Sequence, residues 1–306
     1  GTDNVEAYNL YLMARQSYVT GHEADARRAE AIVRLCSRAT EIDPNYARAW
    51  ALLALGRVVL RYVRGGDLDN GLAAAETALA LDANLAEAHA IKARIYSEAG
   101  QFDAASVEID NALRLDPESY EVNRSAAYLR YRQRRLNEAI QYFEKAMALF
   151  EADVNSANML IGCYAAVGNS LGVERVAKFM LAQTGKTLAQ DPNNVAAMAY
   201  GASALVALGE TKRASELTNR ALLLDPDNIK MRYNFACGLT ARVSDMDAAL
   251  ELLGPLFAKI GLGMLNHAKA DPDLDPLRDD PRFKAMIASA ESRLAPGNAS
   301  GSTSKP

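Results

Sequence analysis

The feature that most restricts what this chain can fold into is a recurring stop signal: an apolar residue, then Asp-Pro, then one or two polar residues. It occurs at Asp43-Pro44, Asp116-Pro117, Asp191-Pro192 and Asp225-Pro226, with Asp82-Ala83 as a degenerate copy. Successive spacings are 39, 34, 75 and 34 residues, and the 75 spans two units with a blurred boundary near Glu151–Asp153. The bare period is therefore 34, with insertions in some copies. Proline cannot donate an amide inside a helix and biases its predecessor away from helical geometry, so one helix must end at each stop. The same proline suits the first turn of the next helix, where its missing N–H would go unpaired in any case.

Within each period small residues recur at fixed offsets before the proline. Gly100-Gln101-Phe102 marks a turn, after which Ala105, Ile109 and Ala112 fall on one helical face. The copy ending at Pro226 repeats this with Gly209, Ala214, Thr218 and Ala221, and Leu136, Ala139, Phe143 and Ala146 follow Pro117 in the same way. Ile32, Cys36 and Ala39 precede Pro44. Alanine at these offsets lets paired helices approach closely while one larger residue fills the gap between pairs. Composition agrees: half of the residues are hydrophobic but only 7% are aromatic.

The first helices carry Trp50, Leu53 and Ala54 after Pro44, with Asn158, Ile161 and Gly162 in equivalent places further on. This order, with the alanines of the second helices and the closing proline, resembles the tetratricopeptide (TPR) signature. The resemblance implies an all-α fold, a right-handed α-α superhelix of TPR helix hairpins with a C-terminal capping helix. The expected organisation is an array of about six helix pairs over 1–260, capping helices over 261–295 and a disordered tail over 296–306. Three departures from the period stand out: a several-residue insertion before the second helix, Gly65-Gly66 in the second pair, and a long helix over 170–190. A short helix is expected over Leu262–Ala270, then the proline-broken DPDLDPLRDDPRF at 271–283, then an amphipathic helix to about Leu294. A solenoid leaves apolar surface at its ends, and this terminal stretch suits a cap.

Little in the sequence points to catalysis. Net charge is −4, whereas nucleic-acid binders show a basic excess, so no nucleic acid is expected as a partner. Cys36, Cys163 and Cys237 stand far apart without a paired motif, which reads as small buried residues in a reducing compartment. His22, His89 and His267 are isolated from one another and from the cysteines, so no metal is expected, and His89 reads as a packed or capping residue. Gly261-Leu262-Gly263 opens no strand-helix unit, so no phosphate cradle and no cofactor are expected. No stretch reaches the ~20 apolar residues of a membrane helix, and the N-terminus lacks a basic-then-apolar leader. The expectation is a cytoplasmic chain, excised from a longer protein because it opens on Gly1 rather than Met.

The densest positive charge runs from Arg130 to Arg135, with Arg124 upstream. It admits a solvated helix end, where cations are favoured by the macrodipole, a contact to an anion or acidic peptide, or, with Tyr128 and Tyr131 interleaved, a nucleic-acid contact that the acidic remainder of the chain disfavours. In TPR arrays the first helix of each pair lines a concave groove, and the resemblance carries that geometry here. The implied groove positions include Glu87, Arg94, Ser97 and Glu98, then Glu121, Arg124, Tyr128, Tyr131 and Arg132, then Met159, Cys163 and Val167. Further on come Ser203 and Val206, then Lys230, Tyr233 and Thr240. Arg94, Arg124, Tyr128, Tyr131, Arg132, Met159, Lys230 and Tyr233 are the candidates for partner contact. Such a surface suits a protein or peptide with an acidic and an apolar part. The Lys/Asn carboxylate clamp of some TPR domains falls at Ala51 and Leu55 and is not matched.

The ends, TDNVEAYNLYLMAR (2–15) and LNHAKADPDLDPLRDDPRFKAM (265–286), resemble more specifically the TPR regions fused behind bacterial class III adenylate/guanylate cyclase domains or related DNA-binding regulators. That resemblance implies a signalling parent whose own N-terminal domain could occupy the groove. It gives this chain no catalytic residue. The alternative expectation is a homodimerising segment that brings catalytic halves together; a small-molecule sensor is a remoter one.

Overall fold

The computed structural model describes residues 1–19, 26–64, 69–226 and 229–295. Expectations for His22, for Gly65-Gly66 and for the tail from Pro296 lie outside the described residues, as does the Lys230 side chain. The described residues are helical throughout, without strands, as expected for TPR hairpins. They divide into two compact units, the first made of 1–129, 260–267 and 291–295, the second of 130–259 and 268–290.

In unit 1, α1 (Val5–Val19) pairs with α2 (Ala26–Ile42), α3 (Ala47–Arg64) with α4 (Leu72–Leu81), and α5 (Ala86–Glu98) with α6 (Phe102–Leu115). Each first helix also packs on the first helix of the next pair, α1 on α3 and α3 on α5. The start of α7 (Tyr120–Arg132) belongs to this unit. Unit 2 pairs α9 (Val154–Ala166) with α10 (Ser170–Gln190), α11 (Val195–Ala207) with α12 (Thr211–Leu224), and α13 (Ile229–Gly238) with α14 (Met246–Phe257). There α8 (Leu136–Leu149) packs on α9. The remaining helices are α15 (Leu262–Ala270) and α16 (Pro281–Leu294), with a 3-10 segment Pro272–Leu277 between them.

The local chemistry of the stop signals is repeated from copy to copy. The aspartate carboxylate accepts the backbone N–H two residues on: Asp43 from Asn45 at 3.0 Å, Asp82 from Asn84 at 3.0 Å, Asp116 from Glu118 and Asp191 from Asn193, both at 3.2 Å. This Asx turn supplies a partner for an amide that the ended helix has released. A second device ties the next helix back to the turn. The residue six beyond the proline position bonds to its carbonyl: Trp50 to Pro44 at 2.8 Å, His89 to Ala83 at 3.1 Å, Asn123 to Pro117 at 2.8 Å, and Arg232 to Pro226. Four different side chains do one job, and His89 is a capping residue as expected.

The small-residue faces are the core. Ala105, Ile109, Ala112, Ala139, Phe143, Ala146, Ala214 and Ala221 are fully buried, and Thr218 nearly so. Burying these faces against neighbouring pairs is the main stabilising term, at roughly 25 cal/mol per Å² of apolar surface removed from water. Turns inside the pairs use left-handed backbone at Gly100, Gly168 and Gly209, where φ is 78°, 73° and 79°. At the equivalent turn after α7 the left-handed residue is Arg134, with φ of 61°.

Candidate partner-binding cleft

In unit 1 the first helices together line a cleft. Tyr11, Arg15 and Tyr18 come from α1, Leu52 and Leu55 from α3, Glu87, Ile91 and Arg94 from α5, and Glu121, Arg124 and Ser125 from α7. The fourfold pattern arises because residues three, four and seven apart on one helix share a face, and each first helix presents that face beside its neighbour.

Charge inside the cleft is arranged rather than scattered. Arg15 bridges two carboxylates, Glu121 at 2.5 Å and Glu87 at 3.5 Å. Burial pushes the Glu87 carboxyl above its ordinary value; Arg15 pulls it back, while Glu121 adds to the rise. Two acids thus share one guanidinium. Further along α5, Arg94 is held by Glu98 at 2.9 Å and lies 6.0 Å from the Tyr62 ring centre. On α7, Arg124 lies 5.4 Å from the centre of the Tyr128 ring. Cation–aromatic contacts of this kind fix the direction of a guanidinium at small entropic cost.

Of the residues expected to meet a partner, Arg94 and Arg124 share this cleft and Tyr128 flanks it. Tyr131, Arg132, Met159 and Tyr233 belong to unit 2 and are buried. The face of unit 2 carrying Met159, Gly162 and Tyr233 is occupied by the chain's own segment 268–280. Asp271, 5% exposed, accepts from the Tyr233 hydroxyl at 2.7 Å and from the Cys237 thiol at 3.6 Å. Its other oxygen takes the Asp273 amide at 2.9 Å and so starts the 3-10 turn. A Cβ at Gly162 would lie 3.3 Å from the Asp273 carboxylate, so glycine is what allows the segment to approach α9. Arg134 grips Asp275 with two hydrogen bonds and the Ala270 carbonyl with a third, and Arg278 closes on the Ala268 and Asp271 carbonyls. Much of the Arg130–Arg135 run is engaged within unit 2 in this way: Arg130 and Arg135 both pair with Glu138.

Sequence reasoning missed Arg15, because the insertion between α1 and α2 hides the register of the first pair. It also missed the self-filled face.

Cys237, Asp271 and Asp273 bring three potential metal donors within 4.8 Å. Asp271 already accepts from the Tyr233 hydroxyl, the Cys237 thiol and the Asp273 amide. Burial, then the charge of Asp271, pushes the Cys237 thiol well above its ordinary value. The trio is a polar lock on the terminal segment. No helix among the described residues is long and apolar enough to cross a membrane.

Residues 86–119 match the tetratricopeptide repeat model. These 34 residues are α5, α6 and the turn that follows, the copy with the most regular spacing. A comparison with curated proteins finds no match. Among solved structures, a monomeric IFIT1 mutant with Gppp-AAAA superposes with a TM-score of 0.57 at 15% identity, covering 91% of this chain and 65% of that one. The human IFIT1 dimer with PPP-AAAA gives 0.56 at 14% identity, over 88% and 65%. The APC/C hetero-tetramer Cut9–Hcn1 gives 0.53 at 13%, over 94% of this chain and 49% of that one. The chain thus spans less than two thirds of the length of these relatives, and the likeness at such identities is one of fold.

Proposed function

We propose that this chain is a TPR scaffold that binds a protein or peptide, and that the unit 1 cleft is the binding site. One observation carries the reading: the first helices of unit 1 leave an aromatic and charged cleft open, whereas the matching face of unit 2 is filled by the chain's own segment. Proximity of rigid helices gives such a cleft a preformed shape, which lowers the ordering cost of binding. The two IFIT1 structures contain a capped or triphosphate-bearing oligonucleotide. In this chain Glu87 and Glu121 stand in the cleft, which favours a peptide over a polyphosphate.

The resemblance of 2–15 and 265–286 supports a further step, in which the module serves a larger bacterial signalling protein such as a class III cyclase. Partner capture tests the site. Arg124→Ala combined with Tyr128→Ala should abolish capture while the helical melting curve keeps its shape and midpoint within a few degrees. Equal capture by the double variant would place the partner elsewhere.

A second reading has its own observation. On α1, Val5, Tyr8, Leu12 and Met13 are 72%, 47%, 43% and 55% exposed. The first three recur at helical spacing as an apolar stripe that a second copy could cover. Sedimentation at high concentration, with and without Leu12→Glu, separates a homodimer from a monomer.

A further inference from the structure

We infer that the unit 1 cleft takes a peptide segment of mixed charge, with a basic side chain at Glu87 and Glu121, an acidic one at Arg94 and Arg124, and an apolar one between. The inference rests on the cleft being the partner site and adds the chemistry of the partner.

The argument is one of charge order. At one end, two carboxylates share the Arg15 guanidinium, which leaves one negative charge in excess. Burial first, then Glu121, holds Glu87 above its ordinary value against the pull of Arg15 and Arg48. At the other end stand Arg94 and Arg124; Glu98, which holds Arg94, comes from one turn further along α5. Leu52, Leu55 and Ile91 form the wall between the ends, each under 8% exposed as a residue yet bordering the open space.

Distance then limits the partner. Glu87 and Arg94 are seven residues apart on one helix, about 10 Å at ~1.5 Å per residue. Glu121 and Arg124 are three apart, about 4.5 Å on the same measure. An extended peptide advances ~3.3 Å per residue, so opposite charges three to four residues apart, with an apolar residue between, match the longer span on α5, while the α7 span corresponds to little more than one residue. A uniformly acidic segment would press a carboxylate on Glu87 and Glu121. A uniformly basic one would press on Arg94 and Arg124. An oligonucleotide carries one sign along its length and meets the first difficulty.

Fluorescence anisotropy with the full chain and three labelled peptides tests this. All contain the same flanks around Lys-Ala-Leu-Ala-Glu, Glu-Ala-Leu-Ala-Glu or Lys-Ala-Leu-Ala-Lys, and a 5′-triphosphate oligoadenylate serves as the fourth probe. The mixed peptide should bind at least tenfold tighter than the other three, and Glu87→Gln with Glu121→Gln should remove most of that preference. Equal or tighter binding of a uniformly charged probe overturns the inference. If Tyr18→Ala then weakens every probe alike, the cleft still stands as the partner site. If no peptide binds, or Tyr18→Ala changes nothing, the cleft itself is the wrong place and both readings fall.

Discussion

Arg134 holds Asp275 through two hydrogen bonds, at 3.0 and 2.6 Å, from a backbone position whose equivalents in other pairs are glycine. Gly100, Arg134 and Gly168 are spaced at the 34-residue period, so the arginine occupies a place where neighbouring copies have glycine in left-handed backbone. A side chain there costs about 1 kcal/mol relative to glycine. What the arginine gives in return is a hold on the terminal segment.

That balance leads to the first expected outcome. Arg134→Gly should leave global stability within ~1 kcal/mol of the parent, since an ion pair this exposed is itself worth only ~0–1 kcal/mol and relief of backbone strain offsets its loss. Segment 268–280 should nevertheless become several-fold more sensitive to limited proteolysis. Partial burial raises the Asp275 carboxyl, but Arg134 and Arg278 outweigh it and hold it below the ordinary 3.8. The stabilisation is therefore complete above that value and disappears as pH falls through the lower folded value. The protease difference between Arg134→Ala and the parent should be plain at pH 7 and shrink below about pH 3.8, and a constant difference would show that the pair does not hold the segment.

Glycines at two left-handed positions should respond differently to the same change. At Gly71, φ is 80° and a Cβ would lie 2.5 Å from the Ala54 carbonyl oxygen. At Gly209, φ is 79° and nothing lies within 4 Å. Gly209→Ala should cost only the backbone penalty, ~1 kcal/mol. Gly71→Ala must also displace main chain and should cost roughly 2–4 kcal/mol. Urea midpoints for the two variants decide it; equal losses would mean that α3 yields to the methyl group.

Asp271 is the buried acceptor that links α13 to the terminal segment. Asp271→Ala strands the Tyr233 hydroxyl and the Asp273 amide, and leaving buried donors unmade should cost about 2–4 kcal/mol. Tyr233→Phe removes the donor instead, leaving the carboxylate with the Asp273 amide and the Cys237 thiol, and should cost about 1 kcal/mol. In a double-mutant cycle the two losses should fall short of additive, because they share one bond. Strict additivity would deny that the bond at 2.7 Å is energetically coupled.

How far the sequence carried can be read from these residues. The stop at Asp43-Pro44 and the alanines at 105 and 112 dictate helix ends and tight pairing through local chemistry, and local chemistry is what a sequence displays. The bounds of α15 and of the long α10 followed from the same signals. Arg94 and Arg124 were named as groove positions through the TPR resemblance, and both line the unit 1 cleft. Tyr131 and Tyr233 occupy the same register, yet their surroundings depend on where segment 268–280 returns after more than thirty intervening residues. A contact made over such a separation leaves no periodic trace. Arg15 was obscured for the opposite reason, since an insertion beside α1 broke the local rhythm.

The thiols should be inert in the folded chain. Burial pushes Cys36 up to about 12, and pushes Cys163 and Cys237 up further still. The thiolate is the reactive form, so its population at pH 8 is negligible while the helices stay packed. With an aromatic disulfide reagent, native protein should show no colour over minutes, and all three cysteines should react at once in denaturant. Rapid native labelling of even one thiol would indicate local opening of its helix pair at low cost.

Arg15 offers the sharpest test of the cleft's electrostatics, because it carries the ion pairs from α1 to Glu87 on α5 and Glu121 on α7. Arg15→Ala would leave Glu87 and Glu121 facing each other, half-buried, with their shared cation gone. Removing one partner of a buried charge group exposes the desolvation cost of the others, here about 1–3 kcal/mol at pH 7 after allowing for partial solvation. The sign of the pH response follows from Glu87. Its carboxyl already lies above the ordinary 4.5 in the folded chain, owing first to burial, and without Arg15 it should rise further. A raised carboxyl favours the folded state as protons bind, so the variant should recover stability as pH falls from 7 towards 4.5. The parent, which keeps its bridge, should recover less. Thermal melts at pH 7, 5.5 and 4.5 measure the two slopes, and parallel slopes would mean that Arg15 does not hold this pair of acids together.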